Sequence, residues 1–208
     1  MDLTTILTTL ITAISSVTVA LITAGYFKRW QDRNKEKNSR NQLMAQIQKD
    51  ELIHFTIREI RRQYNADRIY IIQFHNGGYF YTNSPMQKAS VTYERNSDGL
   101  ERISDKFQNI LVSHYTWYLT ETINSKMFYN DLDHQMSDLP TKSLLKNYGN
   151  YAHSAVPIYD IEKKLIGVLG VSWVFSDIPE ELLENGEFTD TFKSSLFNDA
   201  NSLKTYIV

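Results

Sequence analysis

The stretch that decides the fold is YAHSAVPIYDIEKKLIGVLGVSWVF, residues 151–175. Its two halves, 151–160 and 165–175, are rich in the β-branched and aromatic side chains that are typical of strands packed into a core. The four residues Ile161–Lys164 carry three charges and separate the halves, which favours an exposed turn. This stretch therefore predicts a hairpin of two neighbouring antiparallel strands.

The sequence around this hairpin predicts further helices and strands. We expect helices over Gln42–Tyr64, Ile103–Ile123, Lys142–Asn147 and Phe188–Ile207, and strands over Arg68–His75 and Lys88–Arg95. Strands that follow one another with short connections pair in an antiparallel manner. The order of elements therefore predicts an α+β fold, with a mainly antiparallel sheet flanked by helices.

The helix before the first predicted strand carries an apolar stripe. Ile53, Ile57, Ile60 and Tyr64 follow one another at steps of four, three and four residues. Such spacing fits a helix that packs on its own sheet, and it equally fits a parallel coiled coil. We expect a mixture of the two: domain packing toward Tyr64, and dimer contacts along the exposed part of the helix. The stripe thus predicts a homodimer.

The beginning of the chain contains a long uncharged segment. No charged side chain occurs from Leu3 to Phe27, a run of 25 positions. A helix of that length reaches roughly 37 Å, against about 30 Å for the hydrocarbon core of a bilayer. A secretory signal peptide would begin with basic residues, whereas this segment follows Asp2. We predict a transmembrane helix within residues 1–27, with a buried or assembly helix as the alternative.

The residues that follow the uncharged segment are basic. Between Lys28 and Arg40 there are six basic and two acidic residues, whereas residues 41–208 have an acidic surplus of five. Because positive flanks stay on the cytoplasmic side, the N-terminus is predicted outside and the large domain in the cytoplasm. Residues 28–64 are interpreted as a basic linker followed by a connecting helix.

Composition and motifs exclude several function classes. The chain has no cysteine, which rules out disulfides, thiolate zinc sites and cysteine nucleophiles. Its net charge of −2 gives no reason to expect a nucleic-acid partner. The sequence has no phosphate-binding loop, nucleophile elbow or paired-histidine motif, so we assign no catalytic residue and predict that the protein is not an enzyme.

One acidic loop has the residue types of a metal site. The segment NDLDHQMSD, residues 130–138, contains Asp131, Asp133, His134 and Asp138. Acidic loops with a single histidine are common, and no second histidine has ligand spacing. We therefore assign no metal ligand.

The hairpin residues resemble the GAF family of small-molecule sensor domains. In SAVPIYDIEKKLIGVLGVSW, residues 154–173, a strand ending in Val-Pro-Ile is followed by a charged turn and a returning Ile-Gly-Val-Leu strand, as in that family. The order of elements agrees from about Leu52 to Ile207. The resemblance implies a GAF-like domain over residues 65–208, with a ligand pocket on one sheet face closed by the middle helices and loops.

The chain also departs from well-known members of that family. The segment NSKMFYND, residues 124–131, has the residue types of the cyclic-nucleotide signature at the wrong spacing, and the cysteines of pigment-binding members are absent. The ligand and any cofactor therefore stay unknown. The segments FHNGG and SVTYE are similar to uncharacterised membrane-anchored proteins of phage and bacterial origin.

The segment FHNGG, residues 74–78, has two interpretations. Asn76-Gly77 is a strong hairpin signal because both residues tolerate a positive φ, so a tight turn is the first. The second is a pocket where this strand end, the second strand and the middle helix converge. The candidate ligand-binding residues are His75, Asn76, Gly77, Gly78, Tyr93, Glu94, His114 and His153.

Two hypotheses of function follow from these observations. The first is a membrane-anchored, non-enzymatic domain that faces the cytoplasm and senses or binds a small molecule. The second is a structural or assembly protein of the membrane that uses the sensor fold for oligomerisation. This hypothesis includes a protein encoded by a phage. The polar residues around His75 favour the first, and the absence of an output domain after the predicted GAF-like domain favours the second.

Overall fold

The computed structural model describes residues 2–79, residue 83 and residues 85–207. The chain divides into two units, the first ending at Lys49 and the second beginning at Asp50. The elements in chain order are α1 (Leu3–Gln63), β1 (Arg68–Tyr79), β2 (Pro85–Asn96), β3 (Ile110–Leu111), α2 (Thr116–Ile123), β4 (Phe128–Tyr129), α3 (Leu132–Gln135), α4 (Leu139–Asn147), β5 (Ala152–Tyr159), β6 (Leu165–Trp173), β7 (Leu183–Glu184), β8 (Glu187–Phe188) and α5 (Asp190–Ile207).

The predicted hairpin of residues 151–175 is confirmed, with strands that are one or two residues shorter at their ends. β5 and β6 pair in an antiparallel manner with Val156 opposite Leu169. They belong to a sheet of six strands in the order β3-β2-β1-β6-β5-β4, in which every neighbouring pair is antiparallel. The predicted fold class, a mainly antiparallel sheet flanked by helices, is therefore confirmed.

One face of this sheet packs against the end of α1 and against α5. From α1, Ile53, Ile57, Ile60 and Tyr64 are buried, and α5 contributes Phe192, Leu196, Ala200 and Leu203. The stripe on α1 is thus part of the core of the second unit, which begins upstream of the predicted start at residue 65. The predicted dimer stays a prediction, but these four side chains are already used within the domain.

The other face of the sheet is covered by α2, α4 and irregular segments. The predicted helix over Ile103–Ile123 is wrong in its first half, because α2 begins at Thr116. The reason lies in β2, whose groups take the backbone partners that a helix would need. The Val91 N–H donates to the Phe107 carbonyl, and Ile110–Leu111 pairs with β2 as the short strand β3.

The predicted hairpin turn at Asn76-Gly77 is also wrong. β1 continues to Tyr79, and Asn76 lies opposite Gln87 of β2, so the connection between the strands comes after Tyr79. The register shifts between Asn76 and Tyr79, and Gly78 has a φ of +97°. The positive φ therefore belongs to a bulge within the strand and not to a two-residue turn.

Among the described residues, none forms a helix that is long and apolar enough to cross a membrane. The side chains of residues 3–27, where the sequence predicts a span, lie outside the described part of the structure. The transmembrane helix and the cytoplasmic position of the domain therefore stay predictions.

Candidate functional site

A cavity of about 70 Å³ lies between the second face of the sheet and the segments that cover it. β1 and β2 form its floor through Tyr70, Ile72, Ala89 and Val91, and its surface is almost entirely apolar. The remaining wall residues are Ile103, Phe107, Ile110, Val112, Tyr115, Tyr118, Leu119, Leu144, Leu145 and Tyr148, with Arg68 and Asn150 as the only charged or amide side chains.

A glycine of the hairpin positions the aromatic floor of this cavity. Tyr70 of β1 lies opposite Gly170 of β6. A Cβ atom at Gly170 would overlap the Tyr70 ring, well inside van der Waals distance. Because Gly170 has no side chain, the ring packs directly onto the neighbouring strand. The second glycine of the Ile-Gly-Val-Leu-Gly run therefore serves the geometry of the cavity.

Four buried polar groups form a chain that ends at the cavity wall. The Tyr70 and Tyr118 hydroxyls are 3.2 Å apart, and the Tyr118 hydroxyl is 3.3 Å from His153 Nε2. His153 Nδ1 lies 3.0 Å from the Ser172 hydroxyl. Each of these side chains has its partners within the chain, as buried polar groups require.

This chain of polar groups is uncharged near neutral pH. Burial, reinforced by the positive charge of Arg68, lowers the pKa of His153 to about 3. Burial also raises the pKa of Tyr70 to about 12 and raises the pKa of Tyr118 well above its ordinary value. The imidazole and both phenols are therefore neutral at pH 7.

Arg68 brings a positive charge to one end of the cavity, and that charge is compensated. Its guanidinium donates to Asn150 Oδ1 at 2.9 Å and to the Glu101 carbonyl at 3.1 Å. Its Nε lies 3.5 Å from Glu94 Oε1 in an ion pair whose side chains are both 1% exposed. Burial lowers the pKa of Arg68, but a guanidinium stays protonated in proteins. The result is a neutral ion pair and no free cation.

Two of the predicted ligand-binding residues lie directly behind this wall. Glu94 holds Arg68, and His153 holds Tyr118, but neither lines the cavity itself. Glu94 also accepts hydrogen bonds from Asn96 and from the Ile103 N–H. Both residues are thus positioned to support wall residues.

The structure places the other predicted site residues elsewhere. His75 is half-buried, and its Nε2 lies 2.9 Å from the Ser90 hydroxyl. The Tyr93 hydroxyl donates to Asp50 of α1 at 2.7 Å, and His114 is exposed in a 3-10 turn at Val112–Tyr115. The remaining three are Asn76, whose side chain lies outside the described part of the structure, and the bulge residues Gly77 and Gly78.

Sequence reasoning missed the aromatic wall. Phe107, Tyr115 and Tyr118 form an apolar stripe in the sequence, which is the signal of a helix packed in a core. Their position around a cavity depends on the irregular path of residues 103–115, which no local pattern indicates. Tyr70 and Gly170 lie on two strands that are far apart in the sequence. The sequence shows an aromatic residue and a glycine, but it does not indicate that they contact each other.

The acidic loop has internal partners. Asp131 accepts hydrogen bonds from the N–H groups of Asp133 and His134 at the start of α3, and Lys146 pairs with Asp133. Among the described residues, no group of three or more histidine or acidic side chains could hold a metal ion.

No protein-family model and no curated protein sequence matches this chain. Solved structures do match it. The GAF domain region of a predicted membrane protein from Geobacter sulfurreducens PCA is 16% identical, with a TM-score of 0.56, over 80% of this chain and 97% of that one.

Two further structures are similar to this chain. The photoproduct state of GAF3 from Slr1393 of Synechocystis sp. PCC6803 is 15% identical, with a TM-score of 0.54, over 75% of this chain and 90% of that one. The far-red absorbing dark state of JSC1_58120g3, with bound biliverdin IXa, is 12% identical, with a TM-score of 0.51, over 73% of this chain and 84% of that one. At these identities the likeness concerns the fold, and the fold of this chain is GAF-like.

Proposed function

We propose that the second unit is a sensory domain that binds a small molecule in the cavity between β1, β2 and the segment that leads into α2. The observation that carries this proposal is the apolar cavity itself, floored by Tyr70 and Val91. Ligand sites are concave and mostly apolar, with few polar groups. The proposed activity is binding without catalysis.

The GAF-like fold supports this proposal. A structure of similar fold is described with bound biliverdin IXa. The cavity of about 70 Å³ is far smaller than the 300–1,000 Å³ of typical ligand pockets. A molecule of bilin size would therefore require a large displacement of the covering segments, so we propose a smaller ligand.

The covering segments are suited to moderate displacement. Phe107, Tyr115, Leu144 and Tyr148 are only half-buried, whereas the floor residue Val91 is 3% exposed. Half-buried side chains lose fewer contacts when they move than core side chains do. Entry of a ligand is proposed to occur on this side.

The test is recovery of a bound molecule from the purified full chain. The protein is extracted with organic solvent and the extract analysed by mass spectrometry. Ala89→Leu adds bulk at the cavity floor and is expected to remove the bound molecule. Gln87→Leu places a leucine at an exposed position of the same strand, outside the cavity, and is expected to retain it. Equal recovery from both variants would contradict the proposed site.

We further propose that residues 3–26 anchor this domain in a membrane, with the domain in the cytoplasm. The 25 uncharged positions and the basic surplus after them support the proposal. Fractionation and protease protection of the tagged full chain test it. Recovery of the full chain in the soluble fraction would contradict it.

A second candidate function is assembly, and one observation favours it. Several large apolar side chains of α1 are exposed: Leu43, Met44 and Ile47 in the first unit, and Leu52 and Phe55 in the second. Exposed apolar clusters often mark interaction sites. If the chain oligomerises through them, Phe55→Lys lowers the mass measured by light scattering, whereas Gln63→Lys, at another exposed position of α1, does not.

A further inference from the structure

We infer that the ligand of the cavity is an uncharged, mostly apolar molecule of about one aromatic ring. This inference rests on the proposed binding function and specifies the chemistry of what binds. It excludes anionic ligands such as nucleotides and carboxylates, although an arginine stands at the wall.

The wall of the cavity is almost entirely apolar. Residues of the floor and cover present almost only carbon to the cavity, including Ile72, Val91 and Leu145. A polar group placed there without a partner would lose its hydrogen bonds to water and gain none, which disfavours its binding. The wall therefore favours a molecule whose surface is mostly carbon.

Among the described residues of the wall, Arg68 is the only charged one. Its Nη1 and Nη2 groups donate to Asn150 and to a backbone carbonyl, and its charge is paired with Glu94, while its buried Nε–H has no hydrogen-bond partner among the described residues. An anionic ligand would have to displace Glu94, which itself accepts backbone hydrogen bonds from Ile103 and Ser104. Displacement would leave a buried carboxylate without its partners, which is costly. Arg68 is thus a structural cation of the wall.

The hydroxyls of two tyrosines in the wall are hydrogen-bonded. Tyr70 and Tyr118 bond to each other, and Tyr118 continues to His153. At Tyr70 and Tyr118 a ligand therefore meets rings whose hydroxyls already have partners. Aromatic rings favour stacked or edge-to-face contacts with another ring. These ring contacts favour a flat, apolar ligand over a polar one.

The volume of the cavity limits the size of its ligand. An apolar cavity of about 150 Å³ in another protein stays dry and binds benzene. The present cavity is about half that volume, so the binding of a ring requires its half-buried cover residues Phe107 and Tyr148 to move apart. A single ring is therefore the largest ligand that requires only local movement.

The experiment compares two probes of similar shape, toluene and benzoate, on the purified full chain. Binding is measured by NMR titration. The wild type is expected to bind toluene and to bind benzoate at least ~100-fold more weakly, because a buried unpaired carboxylate is disfavoured by several kcal/mol. Ala89→Leu is expected to lose toluene binding, and Gln87→Leu to keep it.

A variant of the ion pair sharpens the comparison. Glu94→Gln removes the negative partner of Arg68 and keeps a carbonyl that accepts a backbone N–H. It is expected to reduce the preference for toluene at least ~10-fold, since an unpaired buried cation attracts benzoate. If this variant does not fold, the wild-type preference alone decides.

The outcomes separate this inference from the proposed function. Benzoate binding as tightly as toluene, or a recovered natural ligand that is anionic, would overturn the inference and leave the binding function in place. If neither probe binds and no molecule is recovered with the wild type, both proposals fail. Toluene binding that Ala89→Leu does not affect would place the probe elsewhere and overturn the inference.

Discussion

The two faces of the sheet differ in how completely they are packed. On the face toward α1 and α5, Ile57, Trp173 and Leu196 are fully buried in one continuous core. On the other face, short and irregular segments cover a cavity, and Phe107 and Tyr148 remain half-buried. Long regular helices thus form the packed core on one face, whereas the irregular cover leaves a cavity on the other.

The largest expected effect is the loss of an aromatic side chain from the packed face. Phe192→Ala should lower the free energy of unfolding by about 3–5 kcal/mol, because it leaves a hole between Tyr64, Trp173 and Phe188. Urea unfolding of the full chain measures it. Phe107→Ala on the cavity face should cost clearly less. Equal losses at both positions would contradict the difference between the faces.

Acidic pH is expected to act through the cavity face. In the folded state the pKa of His153 is about 3, because of burial and the charge of Arg68, whereas in the unfolded chain it is near 6.5. The unfolded state thus binds more protons between these values, and stability is lost as pH falls from 6.5 toward 3, by about 1.4 kcal/mol per pH unit. Unfolding measured at several pH values should show this slope.

Two variants identify the histidine responsible. His153→Gln should flatten the slope between pH 6.5 and 4, and His114→Gln, at an exposed position, should leave it unchanged. A second acidic effect belongs to Asp67. Burial raises the pKa of Asp67, but hydrogen bonds from Ser176, Val174 and Phe175 lower it more, so its contribution is lost only below about 3.8. An unchanged slope in His153→Gln would contradict the buried neutral imidazole.

Substitution of Gly170, which packs against the Tyr70 ring of the cavity floor, is expected to have an intermediate effect on stability. Gly170→Ala should destabilise the domain by about 1–3 kcal/mol, because the new methyl group overlaps the Tyr70 ring. In a Tyr70→Ala background the same change should cost much less, since the ring is gone. A double-mutant cycle by urea unfolding measures the coupling. Additive effects would show that Gly170 serves another purpose.

The smallest expected change in stability is that of Ala89→Leu, which we compare with Ala200→Leu. Ala89→Leu should change stability by less than about 1 kcal/mol, because the cavity receives the added carbons. Ala200→Leu, buried in the packed face, should cost about 1–3 kcal/mol through overpacking. Thermal unfolding of the two variants compares them directly. A larger loss in Ala89→Leu than in Ala200→Leu would reverse the assignment of the faces.

Much of the fold could be predicted from local patterns. The hairpin of β5 and β6, the stripe on α1 and the apolar face of α5 each have a clear periodicity, and all three lie in the packed core. The α1 stripe was readable as buried, but spacing does not distinguish packing on the own sheet from packing on a second copy. Only the fold decided that question for Ile57.

The candidate site was less predictable because it depends on long-range contacts. His75 and Asn76-Gly77 looked like a turn or a pocket rim, yet β1 continues past them as a strand. The predicted helix is interrupted because the Phe107 carbonyl and the residues Ile110–Leu111 bind to β2, contacts that no sequence period reveals. Of the predicted residues, Glu94 and His153 hold side chains of the cavity wall.

The most direct test of the central claim is a crystal structure of the protein under xenon pressure, since xenon enters apolar cavities that exclude water. We expect a xenon atom on the cavity face, in contact with Tyr70, Val91 and Phe107. We expect no xenon atom between the sheet and α5, around Leu196. A cavity that takes up no xenon, or xenon bound only on the packed face, would contradict the claim that this domain keeps an apolar ligand site on one face of its sheet.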